Sequence, residues 1–145
     1  MNAVLNTKIS GDSSAAVALS ALVRAGFAVL TPWGDNQRYD LVAEKGGEFW
    51  RIQCKTAWRD DRRSEIIRFV TSSSSTVAGK LTRFDYKSQI ECFIAYWPEG
   101  DRLYCIGVNE VPKTDCFLRL ATSKNNQTKR TKFASEYEFK GFLPR

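Results

Sequence analysis

The chain has 145 residues, of which 43% are hydrophobic, 12% aromatic and 26% charged. These proportions suit one soluble domain with a real core, spanning residues 1–145, and exclude a disordered or fibrous chain. With 22 Lys and Arg against 16 Asp and Glu, the net charge of +6 favours a polyanionic partner, and the absence of histidine excludes a histidine base.

Residues 8–14 lead into a helix that the pattern carries to about residue 25, with Ser10, Asp12 or Ser13 able to cap it. Ala15, Ala18, Leu19, Leu22 and Val23 recur at helical spacing and are expected to face the core, and Gly26 follows the last turn. Residues 27–30 predict a short buried strand, and residues 32–36 a loop. In that loop Trp33, like Trp58 further on, is expected to pack and not to stack on a base.

The next stretch carries the chemistry. Residues 39–43 predict a strand, Lys45, Gly46 and Gly47 a turn, and residues 49–56 a second strand with strict alternation. Trp50, Ile52 and Cys54 fall on one face, and Arg51, Gln53 and Lys55 on the other. An aspartate on the neighbouring strand, Asp40, joins an amide and a lysine two residues apart. Such a set can hold a hard divalent cation through oxygen and steer a water.

Residues 59–64 then read as a charged turn, and residues 65–70 as a strand. Residues 72–79, SSSSTVAG, read as a mobile loop of low complexity. A hairpin is expected from residues 90–97 and 102–108 around Pro98-Glu99-Gly100-Asp101, then a brief helix or turn at residues 109–112, a strand over 116–121, a basic polar loop over 122–131 and a short helix over 133–139. Basic residues cluster at 51–68 and again at 125–145. The polar stretch 2–14 is no signal peptide, and no apolar run can span a bilayer, so a cytoplasmic location without a membrane is expected. Cys54, Cys92, Cys105 and Cys116 form no CxxC pair and read as buried reduced thiols, not as zinc ligands.

Helix, strand, a strand with Asp40, then a strand with Gln53-Cys54-Lys55 resembles the core of the PD-(D/E)XK nucleases. In that superfamily an aspartate is followed, one strand later, by an acid, any residue and a lysine. Glutamine in place of the acid resembles the archaeal Holliday-junction-resolvase-like and group I intron homing-endonuclease branches. The segments GDNQRYDLV and RIQCKT, with Leu118-Arg119-Leu120, Lys124-Asn125-Asn126-Gln127 and residues 134–137, look most like the intron-encoded endonucleases of cyanobacterial type. The resemblance covers most of the chain.

It implies an α/β fold with a restriction-endonuclease-like core: a mixed β-sheet packed by an N-terminal helix, with a small C-terminal α/β extension. It also implies hydrolysis of DNA phosphodiesters with Mg²⁺ (or Mn²⁺), at sites set by sequence. Asp40 and the backbone carbonyl of Cys54 would be ligands. Gln53 would replace an acidic ligand or position a water, and Lys55 would orient the attack or steady charge on the phosphate. The family's helix glutamate falls at Ala15, so cleavage by this chain is expected to be impaired, whether that alanine is engineered or belongs to a natural paralogue. Asp12, three residues earlier, could substitute, although it also reads as a cap.

Double-stranded DNA is the expected partner. Arg59, Arg62 and Arg63 are candidates for its phosphates, and Lys124, Asn125, Asn126 and Gln127 for its phosphates and base edges. One active site cuts one strand, so a homodimer or homotetramer is expected. A non-catalytic DNA-binding protein of the same fold and a structure-specific junction resolvase are the alternatives.

Overall fold

The computed structural model describes residues 3–121 and 131–144. Its centre is a five-stranded sheet built from β1 (Ala28–Leu30), β2 (Leu41–Lys45), β3 (Glu48–Thr56), β8 (Cys92–Trp97) and β9 (Arg102–Gly107), side by side in that order. All neighbours are antiparallel except β3 and β8, which run parallel and make the sheet mixed. The β2–β3 turn is Gly46-Gly47, with φ of 61° and 82°. Positive φ at both central residues gives the turn whose twist matches a hairpin, and glycine adopts it without a Cβ clash.

Alternation along the strands assigns the two faces. Leu41, Ala43, Trp50, Ile52, Cys54, Cys92 and Ile94 point to one side, where helix α1 (Ala3–Arg24) covers them with Ala18 and Leu22. Phe93, Ala95, Tyr104 and Ile106 point to the other. There a second sheet packs Ile67, Phe69, Cys116 and Leu118 against them. Its strands are β4 (Trp58–Arg59), β5 (Ile66–Val70) and β10 (Asp115–Arg119), with β5 in the middle. A separate ribbon, β6 (Ser73–Val77) with β7 (Lys80–Phe84), one turn of 3-10 helix at Val108–Glu110 and a short helix α2 (Ala134–Tyr137) complete the described elements. All four cysteines are buried and free. Among the described residues no helix is long and apolar enough to cross a membrane.

Several sequence expectations change. Helix α1 begins at Ala3 and runs through Ser10 to Ser14, so Ser10, Asp12 and Ser13 cap nothing. The Gly and Ser residues there resemble a break, but tertiary contact outweighs propensity: buried Ser14 hydrogen-bonds Thr56 at 2.6 Å, and Thr56 in turn donates to the Ser10 carbonyl at 3.3 Å. The buried stripe is also rotated, with Ser14, Ala18 and Leu22 inward and Leu19 and Val23 exposed. β1 lies at a sheet edge and is largely exposed, not buried. Residues 73–84 form a hairpin, not a mobile loop, turning at Ala78-Gly79 with φ of 52° and 75°. Trp33 packs on nothing and is fully exposed, whereas Trp58 is half-buried beneath Arg68.

Candidate active site

Asp40 stands one residue before β2, where its N–H donates to the Ile52 carbonyl at 2.8 Å. Leu41 faces Ile52 across the β2–β3 pair, so the same register sets Asp40 beside Gln53. Its Oδ2 accepts the backbone N–H of Cys54 at 2.9 Å, which fixes the carboxylate against β3. Gln53 donates from its side-chain amide to the Cys54 carbonyl at 3.5 Å. Carboxylate, amide and backbone carbonyl thus gather at one point of the β2–β3 edge.

That point opens into a cavity of about 560 Å³ roofed by helix α1. Asp40, Gln53 and Cys54 line its floor, and Asp12 and Ala15 line the roof. Position 15 therefore faces the site, as its place on the helix implies. Freed of any capping duty, Asp12 presents a carboxylate-bearing residue to the same cavity one turn earlier. The Ser14–Thr56 hydrogen bond pins this turn of the helix to the end of β3 and so sets the height of the roof.

Lys55 follows two residues after Gln53 on the same face of β3 and reaches toward Tyr86. Its Nζ lies 3.5 Å from the hydroxyl of Tyr86 and 5.1 Å from the centre of that ring. Arg38 covers the same ring at 4.0 Å. Its guanidinium donates to the Gln89 side chain at 2.6 Å, to the Asp85 carbonyl at 2.8 Å and to the Ser73 hydroxyl, all of them neutral groups. Tyr86, itself buried and edge-on to Phe93 at 5.4 Å, is the aromatic post on which two cations lean. Neither Arg38 nor Tyr86 was visible as a site residue in the sequence. Arg38 stands inside the GDNQRYDLV segment, but nothing about Tyr86 marks it before the chain folds.

The electrostatics are unbalanced without a ligand. Asp40 is reached by solvent, yet loss of hydration is the main influence on its carboxyl and raises its pKa. The Cys54 N–H and the charge of Lys55 oppose that rise without cancelling it. Burial likewise lowers the pKa of Lys55, with Asp40 opposing and Arg38 adding to the drop. Asp40 and Lys55 are thus within electrostatic reach of each other. Among the described residues there is no cluster of three or more His, Cys, Asp and Glu side chains. The Asp40 carboxylate and the Cys54 carbonyl offer oxygen here, and Gln53, whose NH2 now faces that carbonyl, would offer its own oxygen with the amide turned over; such a set fits a hard divalent cation.

The basic candidates fare differently. Arg59 is bound to Glu99 at 2.9 Å and lies 5.4 Å from the ring of Trp97, and Arg63 pairs with Asp60 at 3.3 Å while lying over Phe117. Both are thus engaged within the second layer, and Arg62 is exposed beside them. Lys124, Asn125, Asn126 and Gln127 lie outside the described residues.

Comparison with known proteins bears on the fold and the family. No curated protein sequence matches the chain at a significant level. Among solved structures, that of a bacterial homing endonuclease, I-Ssp6803I, superposes with a TM-score of 0.75 at 22% identity, covering 91% of this chain and 88% of that one. A likeness at that identity establishes the shared fold, a helix on a mixed sheet of the restriction-endonuclease kind. The family model described as PD-(D/E)XK endonuclease matches residues 5–140, nearly the whole chain, and on that match the protein belongs to the PD-(D/E)XK endonuclease family.

Proposed function

We propose that the protein is a divalent-metal-dependent DNA endonuclease of the homing type, hydrolysing phosphodiester bonds at sites chosen by sequence. The observation that carries this reading is the meeting of Asp40, Gln53 and the Cys54 carbonyl under helix α1, with Lys55 two residues after Gln53 on the same face of β3 and within electrostatic reach of Asp40. Asp40, the Cys54 carbonyl and Gln53 would hold Mg²⁺ or Mn²⁺, and the ion would neutralise charge on the phosphate and activate water. The chain's own contribution is positional. The Cys54 N–H keeps one oxygen of Asp40 turned to the strand, leaving the other for the cavity. Lys55 holds its proton at Nζ beside that carboxylate, where it stabilises charge that builds on a phosphate oxygen.

Gln53 is neutral, so the carboxylates of the site matter more here than in an enzyme with an acid at that position. Ala15 offers none, and Asp12 supplies one from a turn away. We expect duplex binding with weak cleavage, because binding rests on Lys and Arg contacts with phosphates and turnover rests on the cation site. Cutting both strands takes at least two copies, in a homodimer or homotetramer whose two-fold axis matches that of the DNA.

The test is Mg²⁺- or Mn²⁺-dependent cleavage of a mixed-sequence plasmid library. Ala15→Glu should raise cleavage, Asp12→Asn should lower what remains, and Lys55→Ala should cut it roughly 10²–10³-fold, as loss of one preorganised charge does. Unchanged cleavage in both Ala15→Glu and Lys55→Ala would show that the site lies elsewhere.

A further inference from the structure

Among the described residues the ribbon β6–β7 has no place in either sheet, and each of its strands pairs with the other alone. Every residue in it except Ser73 and Thr82 is exposed, including Val77 and Leu81 near the tip. Its register sets Ser74 opposite Arg83, Ser75 opposite Thr82 and Val77 opposite Lys80, so the ribbon is lined with hydroxyls and carries cations on both faces. Proteins rarely leave a bare ribbon of this kind exposed without a partner, since its edges invite pairing.

A cleft opens on each side of its base. One, of about 460 Å³, is lined by Arg38, Arg83, Lys87 and Lys113 together with Asp85. Among the described residues none of these four cations forms an ion pair. The carboxylate of Asp85 is instead turned to the backbone N–H of Lys87 at 3.2 Å. The other cleft, of about 360 Å³, is lined by Arg68, Ser72, Ser73 and Arg83, with Asp115. Here, among the described residues, the Ser72 hydroxyl, in a residue 4% exposed, and the Arg68 Nε have no hydrogen-bond partner, and Arg68 pairs with Asp60 at 4.0 Å. A buried hydroxyl left without a partner costs stability, and a ligand oxygen at the cleft would complete it, while the exposed cations of the first cleft give that side a positive field that suits an anion. Arg83 borders both clefts, and Arg38 leads through Tyr86 to Lys55.

Resting on the DNA-cleaving reading above, we infer that β6–β7 enters the major groove of duplex DNA while the two clefts hold backbone phosphates beside that groove. The dimensions agree. Paired strands about 4.8 Å apart make a ribbon that fits a groove about 12 Å wide. Five residues span roughly 17 Å, about twice the depth of the groove, so the tip reaches base edges while the base stays at the backbone. Ser and Thr hydroxyls accept or donate to any base, and Val77 and Leu81 suit thymine methyl groups, so the ribbon reads sequence loosely. The Arg38 cleft then holds a phosphate near the one presented to Lys55.

The test is binding of a short mixed-sequence duplex in EDTA, followed by fluorescence anisotropy across a salt series, with dimethyl sulfate protection of guanine N7 as the groove readout. The variants are Arg83→Ala with Lys87→Ala and Lys113→Ala, and a ribbon in which residues 76–81 are replaced by Asn-Gly. The triple variant should bind roughly 10–100-fold more weakly, and its slope of log affinity against log salt should fall by about 0.9 for each phosphate that the protein no longer neutralises. The shortened ribbon should lose N7 protection. If shortening prevents folding, Val77→Ser with Leu81→Ser should reduce protection in its place. Wild-type affinity and slope in a folded triple variant, or full protection after the tip is changed, would overturn the ribbon's role and leave the cleavage reading standing. A wild-type protein that binds no duplex would overturn both.

Discussion

Replacing Tyr86 by leucine tests whether one ring holds the two cations of the site. The ring lies 4.0 Å from the Arg38 guanidinium and 5.1 Å from the Lys55 ammonium, and its edge-to-face contact with Phe93 has centroids 5.4 Å apart. Each cation–ring contact is worth about 0.5–1 kcal/mol at a partly exposed site, and the aromatic pair about 0.5–1.5 kcal/mol. Leucine keeps apolar bulk but forgoes all three interactions, so Tyr86→Leu should cost about 2–4 kcal/mol once its smaller volume is included. For a domain of this size that lowers the melting temperature by roughly 6–14 °C. Tyr86→Phe keeps the ring face and removes only a hydroxyl 3.5 Å from Nζ, a long and weak contact, so it should cost less than about 1 kcal/mol. Urea and thermal unfolding measure both variants. The alkaline limb of the cleavage profile gives a second reading, since loss of the ring disfavours charged Lys55 and should move that limb to lower pH in the leucine variant alone. Equal destabilisation by phenylalanine and leucine, or none by leucine, would refute the role of the ring.

Three further outcomes follow from the same geometry. Cleavage needs Asp40 ionised and Lys55 protonated. Because the folded pKa of Asp40 is raised and that of Lys55 lowered, the profile should rise above the ordinary carboxylate range and fall below the ordinary lysine range, narrowed at both ends. The signs for stability agree: the contribution of Asp40 is fully present below 3.8 and lost as pH rises through its folded pKa, and that of Lys55 is present above 10.5 and lost as pH falls through its folded pKa. Asp40→Asn should abolish cleavage and, because Lys55 then loses the carboxylate that opposes its desolvation, move the titration of Lys55 to lower pH, read by NMR; an unmoved titration would show that the two do not interact. Gly11, mid-helix on the cavity roof with open space where a methyl group would sit, should accept alanine with a gain of about 0.5–1 kcal/mol, read by thermal unfolding. Gly100→Ala should do the reverse, costing about 1–3 kcal/mol, because its Cβ would meet the buried Trp97 ring at 2.1 Å. An unchanged melting temperature there would mean that the ring moves aside at no cost.

The alternation of residues 49–56 determined which side chains of β3 share a face, and the glycine pair before it fixed the β2–β3 turn, so Asp40 and Gln53 could be paired from local pattern alone. Period-two patterns survive folding because a one-residue slip would exchange the buried and exposed faces. The helix that roofs the site was legible as a helix, but its start was not. Gly11 and the serines around it break local propensity, and only the contact of Ser14 with Thr56 restores the segment. The second sheet, the Tyr86 post and the paired clefts of β6–β7 were decided by tertiary structure. Each brings together residues distant in sequence whose local patterns carry no trace of the meeting: Lys55 and Tyr86, Arg38 and Ser73, and Arg68 and Arg83 become neighbours only when loops close over the sheet. Sequence periodicity reports which face a residue takes, whereas the charge it will meet there depends on chain paths that no short window contains.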